Sequence, residues 1–167
     1  MRTLTASRLK LKVADEVWIA TALSHREHPE RSDFPIEEIV ERAARESLVR
    51  ARRPGLYVHV VQHCVANRPP NPARYRMLIE TAPGRRRLYR KGDSYHPARE
   101  NAKTTPNAEE IPHGYRALLD WYRDWSSETM KKNSKRDPLL ALSGSGALAW
   151  SDEPADEYVQ RLRAGWE

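Results

Sequence analysis

The most prominent chemistry in the chain is cationic. Between Arg50 and Ala98, eleven Lys and Arg stand against two acids, Glu80 and Asp93, so this segment has a net charge of +9. Three consecutive arginines, residues 85–87, follow the turn signal Ala82-Pro83-Gly84. A concentration of positive charge attracts phosphate groups. The segment therefore predicts a phosphate-binding surface, and the alternative is that these arginines form a solvated face without a ligand.

Two histidines and the single cysteine suggest a metal site. His59 and His63 are four residues apart, so on a helix they would share a face and could bind a metal ion together with Cys64 or His96. The chain has only one Cys and contains no HExxH pattern, so a complete zinc motif is missing. We therefore expect no metal and no cofactor.

A pair of acids offers the remaining catalytic option. Asp120 and Asp124 would lie on one face of a helix and could form the acidic pair of a nuclease. Arg116 and Arg123 lie beside them, and such arrangements are more often surface ion pairs. The chain is accordingly predicted to be a binding protein and not an enzyme, with a metal-dependent nuclease as an alternative.

Three helices would position the basic segment. Residues 13–26 have acids in the first turn and apolar residues at helical spacing, which predicts a first helix. Pro35, two glutamates after it and an apolar stripe predict a second helix that extends to Leu48. Residues 56–67 also repeat apolar side chains at helical spacing and predict a third helix. Their four valines leave a strand as the alternative.

A β-hairpin is predicted after these helices. Residues 75–81 and 85–91 read as strands on either side of the turn signal. Three helices followed by a hairpin are the order of a winged helix-turn-helix. The predicted fold class is therefore α+β: three helices plus a β-hairpin wing, then an extra helix and an extended acidic tail. The predicted domains are a winged-helix domain, 1–98, a linker with an accessory helix, 99–136, and the acidic tail, 137–167.

This fold predicts contacts with double-stranded DNA. The third helix of a helix-turn-helix enters the major groove, where Gln and Asn can pair with adenine and Arg with guanine. A wing would place its arginines on the phosphates or in the minor groove. The predicted DNA-binding residues are Arg52, Arg53, His59, Gln62, His63, Asn67, Arg68, Arg85, Arg86, Arg87 and Arg90. The apolar stripe from Ile111 to Trp125 suggests a helix that could also form a homodimer.

The acidic tail, residues 137–167, carries six acids and two arginines. Its leucines and tryptophans are separated by Gly144-Ser145-Gly146, which is typical of a segment that becomes ordered on a partner. The predicted partner-binding residues are Leu139, Leu140, Leu142, Trp150, Tyr158, Arg161, Leu162, Arg163 and Trp166. Docking of the tail on the chain's own basic domain is the alternative.

The tail resembles the C-terminal tails of bacterial antitoxins of the VapB and MazE-like kind. The matching pieces are Asp137 to Leu142, Gly144 to Gly146, Trp150, Asp156 to Val159, Arg161 to Arg163 and Gly165-Trp166. The resemblance implies a protein partner, a toxin of the PIN-type ribonuclease fold, and a role for Arg161 or Arg163 at the metal-binding carboxylates of that toxin. Residues 17–43 resemble bacterial winged-helix-like proteins without an established function.

Composition adds an expectation about location. A lone Cys allows no internal disulfide, and no apolar run reaches the roughly 20 residues of a membrane helix. We expect a cytoplasmic protein with no membrane contact. The predicted function is that of a DNA-binding antitoxin-like or transcriptional regulatory protein whose tail binds a partner protein. The alternative is a protein-interaction or defence-system accessory module that uses the winged helix for protein contacts.

Overall fold

The computed structural model describes residues 11–48, 53–134 and 163–164, with side chains up to residue 127 and at 163–164. The chain forms two compact units, Met1–Ser126 and Ser127–Glu167. Among the described residues the architecture is α+β, with four helices and a small three-stranded antiparallel sheet. The elements are α1 (Val13–Glu27), β1 (Phe34–Pro35), α2 (Ile36–Glu46), α3 (Leu56–Val58, followed by a π-helical turn at His59–His63), β2 (Leu78–Ala82), β3 (Arg85–Leu88) and α4 (Ala117–Ser134).

Helix α1 is the centre of the first unit. Val17, Trp18 and Ile19 have no exposed surface, and every residue from Ala14 to His25 is buried. A helix that is covered on all sides must satisfy its own polar groups. The Thr21 hydroxyl therefore donates to the carbonyl of Val17 at 2.8 Å.

The second predicted helix is confirmed as α2, which ends at Glu46, two residues before the predicted limit. Ile36, Ile39, Val40 and Ala43 form one buried stripe, and the C-cap is Ser47, whose φ of 47° lies in the left-handed region. An amphipathic stripe of this width packs one face on a core and leaves the other in water. Here the core is α1, against which α2 packs.

The hairpin is also confirmed, and it belongs to a larger sheet. Strand β3 lies between β1 and β2, both antiparallel to it, with Phe34 opposite Arg86 and Leu78 opposite Leu88. Gly84 closes the turn with a φ of 73°, a conformation that suits glycine. The third strand, β1, has only two residues, which is too short for an alternating pattern to reveal.

Helix α4 and the loop before it contribute to the same core. Ile111, Leu118 and Tyr122 are buried within the first unit, and the Tyr122 ring meets the Trp18 ring edge-on at 5.5 Å between centroids. The apolar stripe that suggested a dimer helix is thus largely used inside the chain. No helix in the described ranges is long and apolar enough to cross a bilayer.

Candidate nucleic-acid interface

Helix α3 would be the reading element of a helix-turn-helix, and its construction is irregular. It begins as α-helix at Leu56 and continues as a π-helical turn at His59–His63, in which the amide of Cys64 donates to the carbonyl of His59 at 2.9 Å. The helix ends four residues before its predicted limit because Val65 bridges to Leu78. The valine-rich segment is therefore helical up to His63, and its next residues pair with β2 like a strand.

The exposed face of α3 is apolar. Tyr57 is 54% exposed and Val58 is 45% exposed, and they are the exposed large apolar residues in the described part of the chain. Leu56 and Val60 face the core instead. Arg53, just before the helix, lies 3.7 Å from the carboxylate of Glu16, which is a long ion pair. The surface that α3 offers a partner is consequently less cationic than the sequence suggested.

Arg86 binds backbone carbonyls of the π-helical turn that follows α3. Its side chain is 1% exposed, its Nε donates to the carbonyl of Val60 at 3.2 Å, and its guanidinium lies 3.1 Å from the carboxylate of Glu80. The prediction that Arg86 contacts DNA is contradicted by this burial, because a guanidinium enclosed by carbonyls cannot reach a phosphate. The alternating pleat explains the position: Arg86 points into the core while Arg85 and Arg87 point out.

Arg99 binds the carbonyls at the end of the same turn, and no sequence pattern predicts this role. The side chain has no exposed surface and no carboxylate partner among the described residues. It lies in a polar stretch that otherwise reads as loop. The guanidinium donates to five carbonyls, at 2.6 to 3.4 Å: those of Gln62, His63, Arg68, Pro69 and Tyr75. A fork of fixed donors suits such a cluster of acceptors.

The outward arginines of the hairpin are paired. Arg85 lies 2.6 Å from the carboxylate of Asp33, and Arg87 makes a two-pronged contact with Asp93 at 2.7 and 2.8 Å. The hydrogen bond from Arg85 is the largest cause of a lowered pKa at Asp33. Asp33 lies outside the basic segment, so counting charge along the sequence overestimates the positive charge available at this face.

Arg68 is paired in the same way. Its Nε and Nη2 donate to both oxygens of Glu80 at 2.6 and 2.8 Å, and this contact lowers the pKa of the Glu80 carboxyl. Glu80 therefore faces two arginines, Arg68 outside and Arg86 inside. Charge-assisted pairs of this geometry are the stronger kind of hydrogen bond. A phosphate at Arg68 would have to compete with Glu80.

The predicted base-reading side chains are also engaged. The Gln62 amide donates to the carbonyl of Pro69 at 2.6 Å, and the Asn67 amide pairs with both backbone groups of Glu80 at 3.0 Å. The His59 ring lies 2.8 Å from the carbonyl of Gly55, and burial lowers its pKa. These groups fasten the loop between α3 and β2, which leaves little hydrogen-bonding capacity for base edges.

The chain has no match among known protein families, curated proteins or solved structures. The local geometry alone must therefore carry any functional argument.

Three further cations belong to the basic segment. Arg74, which is not among the predicted DNA-binding residues, is exposed and has no ion pair within the described part of the chain. Arg90, a predicted DNA contact, stacks on the Trp125 ring at 4.0 Å from its centroid. Arg76 stacks on Tyr95 at 4.2 Å. Stacked guanidinium groups keep their charge, so these side chains remain attractive to anions.

The alternatives with a metal find little support in the geometry. The rings of His59 and His63 are 4.8 Å apart between centroids, and burial raises the pKa of the neighbouring Cys64 thiol, which opposes metal binding by a thiolate. No group of three or more metal-binding side chains occurs in the described ranges. Asp120 is exposed and pairs with Arg123 at 3.1 Å, as a surface ion pair would.

Most of the predicted partner-binding residues and one predicted DNA contact lie outside the described ranges. Arg52 lies outside the described residues, as do Leu139, Leu140, Leu142, Trp150, Tyr158, Arg161, Leu162 and Trp166 of the tail. Arg163 is described, as an exposed residue in a helical conformation. His63 is half-buried, and its Nδ1 has no hydrogen-bond partner within the described part.

Proposed function

We propose that the chain is a winged-helix protein that binds double-stranded DNA through α3 and the β2–β3 hairpin. The observation that supports this most is topological. The elements follow the order α1, β1, α2, α3, β2, β3, and the sheet order is β1-β3-β2, all antiparallel. This order of elements is the one we expect of a winged-helix domain, in which α2 and α3 would form the helix-turn-helix and the hairpin would be the wing.

The proposed contacts are mainly with phosphates. Arg53, Arg74 and Arg85 are at least partly exposed and lie on the segment that carries α3 and the wing. Arg85 and Arg53 would exchange a carboxylate for a phosphate, and this exchange reduces the net gain from each contact. We therefore expect modest affinity and weak sequence preference, since the amides of Gln62 and Asn67 are already engaged.

A second candidate function follows from Tyr57 and Val58. Two large apolar side chains exposed on α3 are unusual for a helix that lies in a polar groove and are typical of a protein contact. In this account the helix-turn-helix docks a partner protein, as an interaction or defence-system accessory module would. DNA binding would be weakened by substitution of the arginines, whereas docking of a partner protein would be weakened by substitution of Tyr57 and Val58.

The acidic tail extends either account. Its resemblance to VapB and MazE-like antitoxin tails supports a regulator of the antitoxin kind whose tail binds a partner protein, a PIN-type toxin being the class that the resemblance implies. The proposal rests on the sequence of residues 137–167, which carry four net negative charges. A chain cut after Arg136 should lose this partner and keep its DNA binding.

Fluorescence anisotropy with a labelled random-sequence duplex separates the two accounts. The variants Arg74→Gln and Arg85→Gln should each weaken binding, and Arg116→Gln is the matched control because Arg116 is also exposed and lies outside the proposed interface. Each lost phosphate contact should reduce the salt slope by about 1. If instead the double variant Tyr57→Ser, Val58→Ser abolishes capture of a partner protein and no cation matters for DNA, the protein-docking account replaces the DNA account.

A further inference from the structure

A cavity of about 560 Å³ lies at the end of the hairpin away from its turn, between that end, the loop at residues 104–106 and helix α4. We call this cavity the base pocket, because it lies at the base of the hairpin, away from its turn. Its wall includes Tyr89 and Lys91, which follow β3, and Tyr122 and Arg123 of α4. Pockets of about 300 to 1,000 Å³ are the size that holds small organic ligands. The pocket lies wholly in the first compact unit.

The charge of the base pocket is one-sided. Arg76, Lys91 and Arg123 line it, and no Asp or Glu is among its described lining residues. Most other arginines of this unit are paired with carboxylates, as Arg68, Arg85 and Arg87 are. Arg123 also pairs with Asp120, at 3.1 Å, but Asp120 does not line the pocket, and Arg76 and Lys91 have no ion pair within the described part of the chain. Two cations without a carboxylate partner, with a third beside them, create a site for an anion.

Of the three cations, Arg76 is the one with an unpartnered buried donor. Its guanidinium is stacked between two tyrosine rings, 4.2 Å from the centroid of Tyr95 and 5.6 Å from that of Tyr89, and has no ion pair within the described part of the chain. Its Nε is buried without a hydrogen-bond partner. A buried donor on a cation is costly to leave unpaired, so an acceptor from a ligand would remove that cost.

The walls of the pocket are fixed by backbone contacts. The amide of Arg76 donates to the carbonyl of Lys103 at 2.9 Å, and the amide of Tyr89 donates to the carbonyl of Met77 at 2.9 Å. The Tyr122 hydroxyl donates to the carbonyl of Tyr89. These bonds join the hairpin, the loop and α4, so the pocket is present before a ligand arrives, which lowers the entropic cost of binding.

The rest of the lining suits a ligand with a flat apolar body. Thr104 and Thr105 offer hydroxyl groups with no partner in the described part of the chain, whereas Tyr122 and Leu119 supply apolar surface. A phosphate could accept hydrogen bonds from the cations and hydroxyls, and a ring could lie against the aromatic wall.

We propose that the base pocket binds a small phosphorylated molecule with a planar ring, of the mononucleotide class. The site is separate from the proposed DNA interface, because it lies at the opposite end of the hairpin from the turn. The inference does not rest on DNA binding, and either proposal can fail without the other.

The test is isothermal titration calorimetry of the full chain with AMP, adenosine and inorganic phosphate as separate probes. AMP should bind more tightly than either fragment. Arg76→Gln should weaken AMP binding by about tenfold or more, the loss expected for one charge-assisted contact. Lys91→Gln, at an exposed position, should weaken it in the same direction. Arg74→Gln is the matched control, because Arg74 is an exposed arginine two residues away that does not line the pocket.

Three results would overturn the inference. The first is the absence of heat with AMP at millimolar concentration. The second is AMP binding that both Lys91→Gln and Arg76→Gln leave unchanged. The third is that inorganic phosphate binds as tightly as AMP, in which case the ring has no place in the pocket and the assigned ligand class is wrong. Circular dichroism of each variant shows whether a lost signal is a lost fold, and the exposed Lys91 variant keeps the test decisive if Arg76→Gln unfolds.

Discussion

Replacing Arg99 with Met tests the structural role of the buried guanidinium. Three of its five carbonyl partners keep a second donor: Gln62 accepts from the amide of Val65, His63 accepts from that of Tyr75, and Pro69 accepts from the Gln62 side chain. The other two, those of Arg68 and Tyr75, accept no other hydrogen bond in the described part. Arg99→Met therefore leaves two acceptors without a partner.

The size of the effect follows from those two groups. A buried acceptor without a partner costs about 1 to 3 kcal/mol, and the buried Met side chain offsets a fraction of that. We expect Arg99→Met to lower the free energy of unfolding by about 3 kcal/mol. Arg99→Lys should recover only part of this loss, because one ammonium group cannot reproduce the fork of donors.

Urea unfolding followed by circular dichroism measures the change. With a denaturant dependence of roughly 1 to 3 kcal/mol per molar urea, the midpoint should fall by about 1 to 3 M. Arg74→Met is the control, an exposed arginine whose replacement should change the free energy of unfolding by less than about 0.5 kcal/mol. If Arg99→Met behaves like this control, the reasoning about the buried guanidinium is refuted.

Two further predictions concern buried groups that titrate. Burial lowers the pKa of His25 to about 3, and its Nε2 accepts from the amide of Leu88 at 3.3 Å. The histidine is neutral when folded, so its contribution is complete above the unfolded pKa of about 6.5 and is lost as pH falls from there toward 3. Unfolding between pH 6.5 and 5 should show a slope of up to about 1.4 kcal/mol per pH unit that His25→Gln removes, and an equal slope in both proteins would contradict this. Cys64 is fully buried and the pKa of its thiol is raised, so a thiol reagent should label it in urea but only slowly in buffer; rapid labelling of the native chain would contradict its burial.

The sequence predicted the elements whose patterns are local. Helices α1 and α2 follow from apolar spacing and from acids in the first turn, and the hairpin follows from Pro83-Gly84. Strand β1 escaped prediction because two residues cannot show a period. The π-helical turn of α3 also has no local signature, since it depends on carbonyls that distant arginines hold.

The site was harder to predict than the fold, because the net charge of a segment does not show which of its arginines meet acids from distant parts of the chain. Arg85 meets Asp33, which lies about fifty residues earlier, so a basic segment is partly neutralised by contacts that its own composition cannot reveal. Arg86 and Arg99 are buried cations that read as surface residues in the sequence. The alternation along β3 could have placed Arg86 inside, whereas nothing local distinguishes Arg99 from other loop arginines.

The most direct test of the central proposal is the salt dependence of duplex binding by the full chain. If three arginines contact phosphates, the slope of log affinity against log salt should be about −2.7, which means a loss of about 40-fold between 50 and 200 mM salt. This result would support a DNA-binding surface built from α3 and the wing. No binding at 50 mM salt, or binding that salt does not change, would contradict the proposal and leave the exposed Tyr57 and Val58 as the basis of a protein-docking function.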